Sequence, residues 1–386
     1  MVRLLFITDF TESFAYALLR GIIRYSNETE QWVVCRMPPA YKKRLGMKGV
    51  VKWAKNWGAD VVIGQFEEKD NVNLFLKNGI VVLAQDYKKK FTTIPNITAD
   101  YIKTGRMAAD LYLHKGFRNF AFFGYKGVCW SEERCDGFRG RIEEAGFGDH
   151  FYLYNKQVID NLWYYEAEEL RNWLISLPKP VAVMACDDNQ GNALIEACKS
   201  AGVKIPSELS IIGVDNDEVI CTLSDPTLSS IQVDIELGGY ETARMASQML
   251  REPSFKGNNI VLQPKKIVHR VSTSAYATND KEVLSALQYI RQNLNKKLSV
   301  NDILKEVPLS RRLLEVRFKK VIGLSIYQYI SQQRIGRFSE MLLDTNDPIQ
   351  DIAFKLGEDD AKGICRRFKE LMGCTPSEWR KQKNAN

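Results

Sequence analysis

Along the first 275 positions, apolar residues come in short continuous runs separated by stretches of helical spacing. Arg3–Thr8, Trp32–Arg36, Asp60–Gly64, Ile80–Ala84, Phe120–Gly124, Val181–Ala185 and Leu209–Val214 read as buried strands. Between them the spacing predicts helices. Phe14 to Ser26 carries Phe14, Leu18, Ile22 and Tyr25 on one face, and Tyr101 to Lys115 carries Ile102, Met107, Leu111 and Leu113. Val51–Trp57, Trp163–Leu177, Asn189–Ala201 and Gly238–Leu250 complete the set. Continuous apolar strands alternating with helices predict parallel sheets covered on both faces. About 275 residues is large for one such sheet, so the pattern predicts two lobes. Ligands of open α/β sheets sit beyond the carboxyl ends of the strands. That rule directs attention to Asp9, Phe66, Asp86, Trp130, Asp187-Asp188 and Asp215-Asn216-Asp217.

Past a short polar linker at 275–281 the strands stop and the pattern becomes wholly helical. Glu282–Leu294 is amphipathic, with Val283, Leu287, Ile290 and Leu294 inward. A grammar is then spoken twice. Val300–Val307, with Ser299 as a cap, braces a basic helix Ser310–Ile322 that ends Phe318-Lys319-Lys320-Val321-Ile322-Gly323. About 50 residues on, Ile349…Leu356-Gly357 precedes Phe368-Lys369-Glu370-Leu371-Met372-Gly373. A bracing helix, a turn and a basic helix make a helix-turn-helix, whose second helix lies in a DNA major groove. Two copies at one spacing are a far stronger signal than one. With Leu314, Phe318 and Val321 inward, Arg311, Arg312, Glu315 and Val316 fall toward DNA in the first reading helix. In the second, Ile364 and Phe368 face inward, and Lys362, Cys365 and Arg366 take the equivalent places. Arg can read guanine and Glu can accept from cytosine; Lys319, Lys320, Arg367 and Lys369 suit phosphate. The connecting helix Tyr327–Leu343 is about 25 Å long, which with its flanks spaces the readers by about 34 Å, one turn of B-DNA.

Charge agrees with this division. The chain carries +7 overall, and residues 280–386 hold 20 Lys and Arg against 14 Asp and Glu, so nearly all the excess lies there. The eight cysteines lack paired spacing and read as reduced thiols; three histidines stand apart from any zinc-binding pattern. No apolar run of about 18 residues predicts a membrane span, and the first strand is too short to be a signal peptide, so the cytoplasm is the expected compartment.

Specific resemblances then emerge. Pro206-Ser207-Glu208-Leu209-Ser210-Ile211-Ile212-Gly213-Val214-Asp215, followed by Pro226-Thr227-Leu228-Ser229-Ser230-Ile231, resembles the effector domain of the lactose-repressor family. Asp100…Gly105…Ala108 and Arg134…Gly137-Phe138 fit the same pattern. Those domains are similar to periplasmic sugar-binding proteins, which implies two lobes closing on a small ligand over residues 1–275; the family's usual DNA-binding head has no room before the first strand. Residues 276–386, with helix-turn-helix units at about 298–323 and 348–373 and the run Gly373-Cys374-Thr375-Pro376-Ser377-Glu378-Trp379-Arg380, resemble the C-terminal domain of the AraC family. Two positions depart from it: Glu358 replaces the usual aromatic after Gly357, and Gly363 a larger side chain.

A pyranose needs partners for several hydroxyls and a flat apolar surface for its C–H face; carboxylates, an Arg fork and a Trp ring supply these. Arg134, Asp215, Trp130, Asp188, Asp9 and Phe66 are the expected ligand residues. Each has a plainer alternative: an ion pair of Arg134 with Glu132 or Asp136, a core Trp130, a helix cap from one of Asp187 and Asp188. Such an effector domain joined to such a DNA-binding domain, in this order and length, resembles regulators of xylose-use genes. The resemblance implies D-xylose as effector, with another pentose or a hexose as the alternative. It also implies activation of transcription, double-stranded DNA and RNA polymerase as partners, a homodimer, and neither cofactor nor metal. The rival is an α/β enzyme with a basic tail, against which the chain carries no G-x-G-x-x-G or G-x-x-x-x-G-K-[ST].

Overall fold

The structure, a computed structural model, describes residues 1–8, 13–67, 69–157, 167–278 and 280–384. It divides into two compact units: residues 1–113 with 118–275, and residues 276–386 with 114–117.

The described strands of the first unit are β1 (Val2–Ile7), β2 (Trp32–Met37), β3 (Val61–Gln65), β4 (Val81–Gln85), β5 (Asn96–Ala99), β6 (Phe120–Lys126), β7 (Phe151–Gln157), β8 (Val181–Ala185), β9 (Leu209–Val214), β10 (Ser229–Val233), β11 (Ile260–Leu262) and β12 (Pro264–Val268). They form two six-stranded sheets, ordered β11-β5-β4-β3-β1-β2 and β12-β10-β9-β8-β6-β7. Every pairing is parallel except β10 with β12. The two lobes are therefore α/β with mostly parallel sheets. The chain passes from one sheet to the other after β5, after β10 and between β11 and β12.

Each lobe owns a core. In the first, Leu5, Ile7, Val62, Val82 and Phe75 pack with Val50 and Ala54 of the helix Pro39–Trp57, which is broken at Gly46. In the second, Val181, Val183, Leu209 and Ile211 pack with Leu194 and Cys198 of the helix Asp188–Ala201, and with Leu170 and Leu174. The helix expected from Trp163 is seen from Ala167 to Ser176; its expected first residues lie outside the described ones. Tyr112, wholly buried on the helix Tyr101–His114, donates its hydroxyl to the carbonyls of Val183 or Ser210, both at 3.1 Å, and anchors that helix to the second sheet.

Five strands and one long helix were not legible in the apolar pattern. β5, β10 and β12 are short and carry Asn96, Thr98, Ser229, Ser230 and two lysines. Asn96 and Ser229 find their partners inside: Asn96 bonds Phe91 and Asn259, and Ser229 bonds Arg270 and Thr273. The helix Cys129–Glu144 buries Ser131, Arg134, Cys135 and Gly137 beside Phe138 and Ile142, so its inward face is half polar and gives little periodic signal. Glycine is required where this helix meets Tyr101–His114. A Cβ on Gly105 would lie 2.2 Å from the Arg134 carbonyl oxygen, and one on Gly137 2.1 Å from that of Ile102.

The second unit is all helical. Lys281–Asn293 precedes two helix-turn-helix pairs: Val300–Leu304 with Arg311–Ile322, and Ile349–Lys355 with Ala361–Met372. Ile326–Asp344 connects them and Pro376–Asn384 closes the unit. The repetition extends to the caps, 50 residues apart. Ser310 and Asp360 cap the reading helices, and Gly323 and Gly373 end them with φ of 82° and 75°. Ser325 with Gln328, and Thr375 with Glu378, form capping pairs for the helices that follow. Two small cores result. Ile303, Leu314, Phe318 and Ile322 pack with Ile326, Tyr329 and Ile330; Ile352, Ile364 and Phe368 pack with Ile335, Phe338 and Leu342. The connecting helix thus serves one core with each half. Ile322, rather than Val321, takes the last wholly inward position of the first reading helix, Val321 being only partly buried.

Candidate functional site

In the first unit, a cleft of about 500 Å³, part of it open to solvent, is lined by Phe14, Gln65, Gln85, Asp86, Tyr87, Tyr101, Trp130, Arg134, Asp187 and Asp215. Gln65 and Gln85 end β3 and β4, and Asp86 and Tyr87 follow β4. From the other sheet, Asp187 follows β8 and Asp215 follows β9. Both lobes therefore offer the carboxyl ends of parallel strands, where neighbouring loops diverge and leave space.

Arg134 is the centre of the second-lobe wall. Only 3% exposed, it donates from Nη1 to the Cys186 carbonyl at 2.5 Å and from Nη2 to Asp215 Oδ1 at 3.0 Å. Its Cζ lies 5.1 Å from the Tyr101 ring centroid and 5.3 Å from that of Trp130. Burial works against its charge, but the Asp215 and Asp187 carboxylates beside it favour the charged form, and its pKa is raised. The alternative of an ion pair with Glu132 or Asp136 does not hold. Asp215 is set by its backbone: φ is +95° there and +55° at Asn216, conformations L residues rarely adopt. Asn216 Oδ1 accepts from Arg270 Nη2 at 2.9 Å and its N–H donates to Ser230 Oγ at 3.0 Å, which holds the turn.

The first-lobe wall was less visible in sequence. Tyr101 donates its hydroxyl to Asp86 Oδ1 at 2.9 Å, and burial pushes the Asp86 carboxyl up to about 6. Gln85 lines the cleft, and its Oε1 accepts from Thr8 at 3.0 Å. Lys42, buried, ties the Gln65 carbonyl at 3.0 Å to Asp70 at 2.5 Å. The strand-end rule pointed one residue past Gln65, to Phe66. Phe66 instead belongs to the first-lobe core, 1% exposed, its ring 6.2 Å from those of Phe75 and Phe91.

Of the Asp187-Asp188 pair, Asp187 rather than Asp188 lines the cleft. Asp188 is not among the lining residues; its Oδ2 accepts the Asp217 N–H at 2.7 Å, and its Oδ1 sits where Gly213 leaves space. Asp187 lines the cleft and also caps its helix, accepting the Gln190 N–H at 2.7 Å. Burial raises its pKa above the usual carboxylate range. Trp130 lines the cleft and stands edge-to-face with Tyr125, 5.7 Å between centroids. Asp9 lies outside the described residues. The structure thus brings Arg134, Asp215 and Trp130 together, and adds Gln65, Gln85, Asp86, Tyr101 and Asp187.

In the second unit, positions 50 residues apart form matching faces. Arg312, Val316 and Lys319 are exposed in the first reading helix, as are Lys362, Arg366 and Lys369 in the second; Arg311 and Lys320 are exposed beside the first set. Two of the expected residues are less accessible. Glu315 is half-buried and accepts the Ile326 N–H at 3.4 Å, and Cys365 is half-buried against the second core. Arg317 and Arg367 also turn from this face, to Asp280 and Glu282 (3.6 and 3.5 Å) and to Glu358 (2.7 Å). Among the described residues no group of His, Cys, Asp or Glu is placed to hold a metal ion, and no helix is long and apolar enough to cross a membrane.

Two lobes around a polar, aromatic-walled cleft, joined to a pair of helix-turn-helix units, define a class: sugar-responsive DNA-binding transcription regulators, not enzymes. A periplasmic binding protein-like domain matches residues 109–273 and a helix-turn-helix domain residues 303–382. The xylose operon regulatory protein of Haemophilus influenzae is 30% identical over 329 residues, 83% of this chain and 84% of that protein. That of Escherichia coli K12 is 28% identical over 342 residues, 84% of this chain and 85% of its own. A solved structure of a xylose-binding transcription activator shares the fold, with a TM-score of 0.59 at 23% identity over 98% of this chain and 97% of that one. The chain belongs to the family of the xylose operon regulatory proteins.

Proposed function

We propose that D-xylose is the effector and that the sugar-bound chain activates genes for its use. The observation that carries this reading is the composition of the cleft. Asp86, Asp187, Asp215 and Arg134 offer acceptors and a donor fork in a cleft that aromatic rings also line, the needs of a small polyhydroxylated ring. Gln65, Gln85 and Asp86 hold the sugar from the first lobe, and Arg134, Asp187 and Asp215 from the second, so bound sugar favours closure. The energy available is the sugar's differential affinity for the closed form. A homodimer passes that closure to its DNA-binding units, and RNA polymerase is the partner that activation calls for. The relatives named for xylose operons support the choice of sugar.

Arg311, Arg312 and Val316 meet bases in one major-groove segment and Lys362 and Arg366 in the next, while Lys319 and Lys369 meet phosphate. Calorimetry against D-xylose, L-arabinose, D-ribose and D-glucose tests the effector. D-xylose is expected to bind most tightly; no heat with D-xylose, or tighter binding of another sugar, overturns the choice.

A further inference from the structure

The doubled units differ at one built feature. Glu358, in the turn between the second bracing and reading helices, sits between two guanidinium groups. Its Oε1 accepts from Arg334 Nη1 at 3.0 Å and its Oε2 from Arg367 Nη2 at 2.7 Å, with 13% of its side chain exposed. The position 50 residues earlier is Pro308, which has no charge to offer. Arg334 lies in the connecting helix and also donates to the carbonyls of Leu294 and Lys296, at 3.3 and 2.5 Å, in the segment that enters the first helix-turn-helix. Arg367 lies in the second reading helix. One carboxylate therefore links the entrance of the first unit, through the connecting helix, to the reader of the second.

The neighbouring backbone makes the same connection. Gly357 has φ +74°, and a Cβ there would lie 2.3 Å from the Lys296 carbonyl carbon, so the second turn sits directly on the segment entering the first unit. Lys297 and Asp359 pair at 2.7 Å across the same seam, but both are largely exposed and contribute little. Glu358 is shielded, and its removal would strand Arg334 and Arg367 without their shared anion. The two small cores have no buried side chain in common, so the seam, together with the connecting helix, is what fixes one unit against the other.

We propose that Glu358 is a positioning residue that locks the two helix-turn-helix units into a single rigid reader of fixed spacing, and so sets the separation of DNA segments the chain accepts. The proposal rests on both reading helices engaging DNA. It also gives a reason for the departure at this position: an aromatic side chain would fill the turn but would not bind two guanidinium groups.

The test uses the full-length chain, with D-xylose present and absent, on a selected two-segment DNA site and on versions with one, two or three base pairs inserted between the segments. The wild-type chain is expected to lose at least thirtyfold in affinity on insertion. Glu358→Gln, which keeps the shape and loses the charge, is expected to bind the original site about tenfold more weakly and to lose less than threefold on insertion. Should Glu358→Gln melt below the assay temperature, Arg367→Gln, which leaves the Arg334 pair in place, carries the same expectation. A spacing penalty in the variant equal to that of the wild type, whatever its affinity, overturns the proposal while leaving two-segment reading intact. A wild-type chain indifferent to insertion removes two-segment reading and the proposal with it.

Discussion

Arg134 and Asp215 act as a pair: the guanidinium is fixed by a carbonyl and two rings, and the carboxylate by a left-handed turn. Asp215→Asn keeps the turn and removes the charge that faces Arg134, so sugar affinity is expected to fall tenfold or more, about 1.4 kcal/mol, with little change in melting. Arg134→Ala is a different experiment, since it leaves a buried wall of carboxylates without a cation and should also lower stability. Asp86 predicts a pH dependence. Its carboxyl is raised to about 6 by burial, so the folded chain holds this proton where the unfolded chain has released it. Its contribution to stability is therefore present at low pH and lost as pH rises toward 6. Sugar binding has the opposite sign, because the ionised carboxylate is the better acceptor of a hydroxyl proton. Affinity at pH 5 should be at least about tenfold weaker than at pH 7.5, with proton release on binding, and Asp86→Asn should make the profile shallower, leaving the part that Asp187 contributes. An unchanged affinity across this range in the wild type would contradict the role given to Asp86. Arg134, Asp215 and Trp130 were legible because strand ends and a family-like pattern mark them. The Asp187-Asp188 order was not, because a strand-to-helix turn decides by one residue which carboxylate caps, which faces the cleft and which turns inward.

Helices meet by backbone approach where the sequence shows only scattered glycines. Gly105 faces Gly137, and Gly21 on the helix Ser13–Glu28 faces Gly239 on Ile235–Arg251, where a Cβ would fall 1.9 and 2.0 Å from the carbonyls of Glu236 and Leu18. Gly105→Ala is expected to cost about 1–3 kcal/mol and to weaken sugar binding, since the helix it displaces carries Trp130 and Arg134. A thermal melt with a sugar titration checks both; normal sugar affinity in a destabilised variant would separate packing from the site. Gly363 is the opposite case. A Cβ there would meet its nearest neighbour, Arg367, at an ordinary 3.5 Å, so Gly363→Ala should raise stability of the second unit by about 0.5–1 kcal/mol. The doubled helices were readable because their caps, cores and C-terminal glycines recur. The helix Cys129–Glu144 was not, because its buried face is built from Ser131, Arg134 and Gly137 rather than from an apolar stripe.

At the scale of the whole molecule, the change of apolar pattern near residue 280 marks a change of architecture, from parallel sheets with two lobe cores to helices with two small ones. Sheet order was beyond the sequence, because it depends on β5, β10, β11 and β12, which are short, and on polar residues such as Asn96 and Ser229 whose partners lie far along the chain. A fragment of residues 280–386 should fold and bind DNA without sugar, since it holds both small cores and most of the excess charge, and its affinity should fall steeply with salt. Retention of DNA binding by residues 1–275 alone would reverse that assignment. The central claim is that occupancy of the cleft governs the DNA-binding unit. The most direct measurement is a fluorescence-anisotropy titration of a selected DNA site with the full-length chain, with and without saturating D-xylose, in the wild type and in Asp215→Asn. The account predicts at least a tenfold gain in affinity on adding sugar to the wild type, about 1.4 kcal/mol of coupling, and in the variant the same gain only at sugar concentrations raised by the factor its sugar affinity has lost. Superimposable wild-type titrations with and without sugar, while calorimetry shows the cleft occupied, would contradict it.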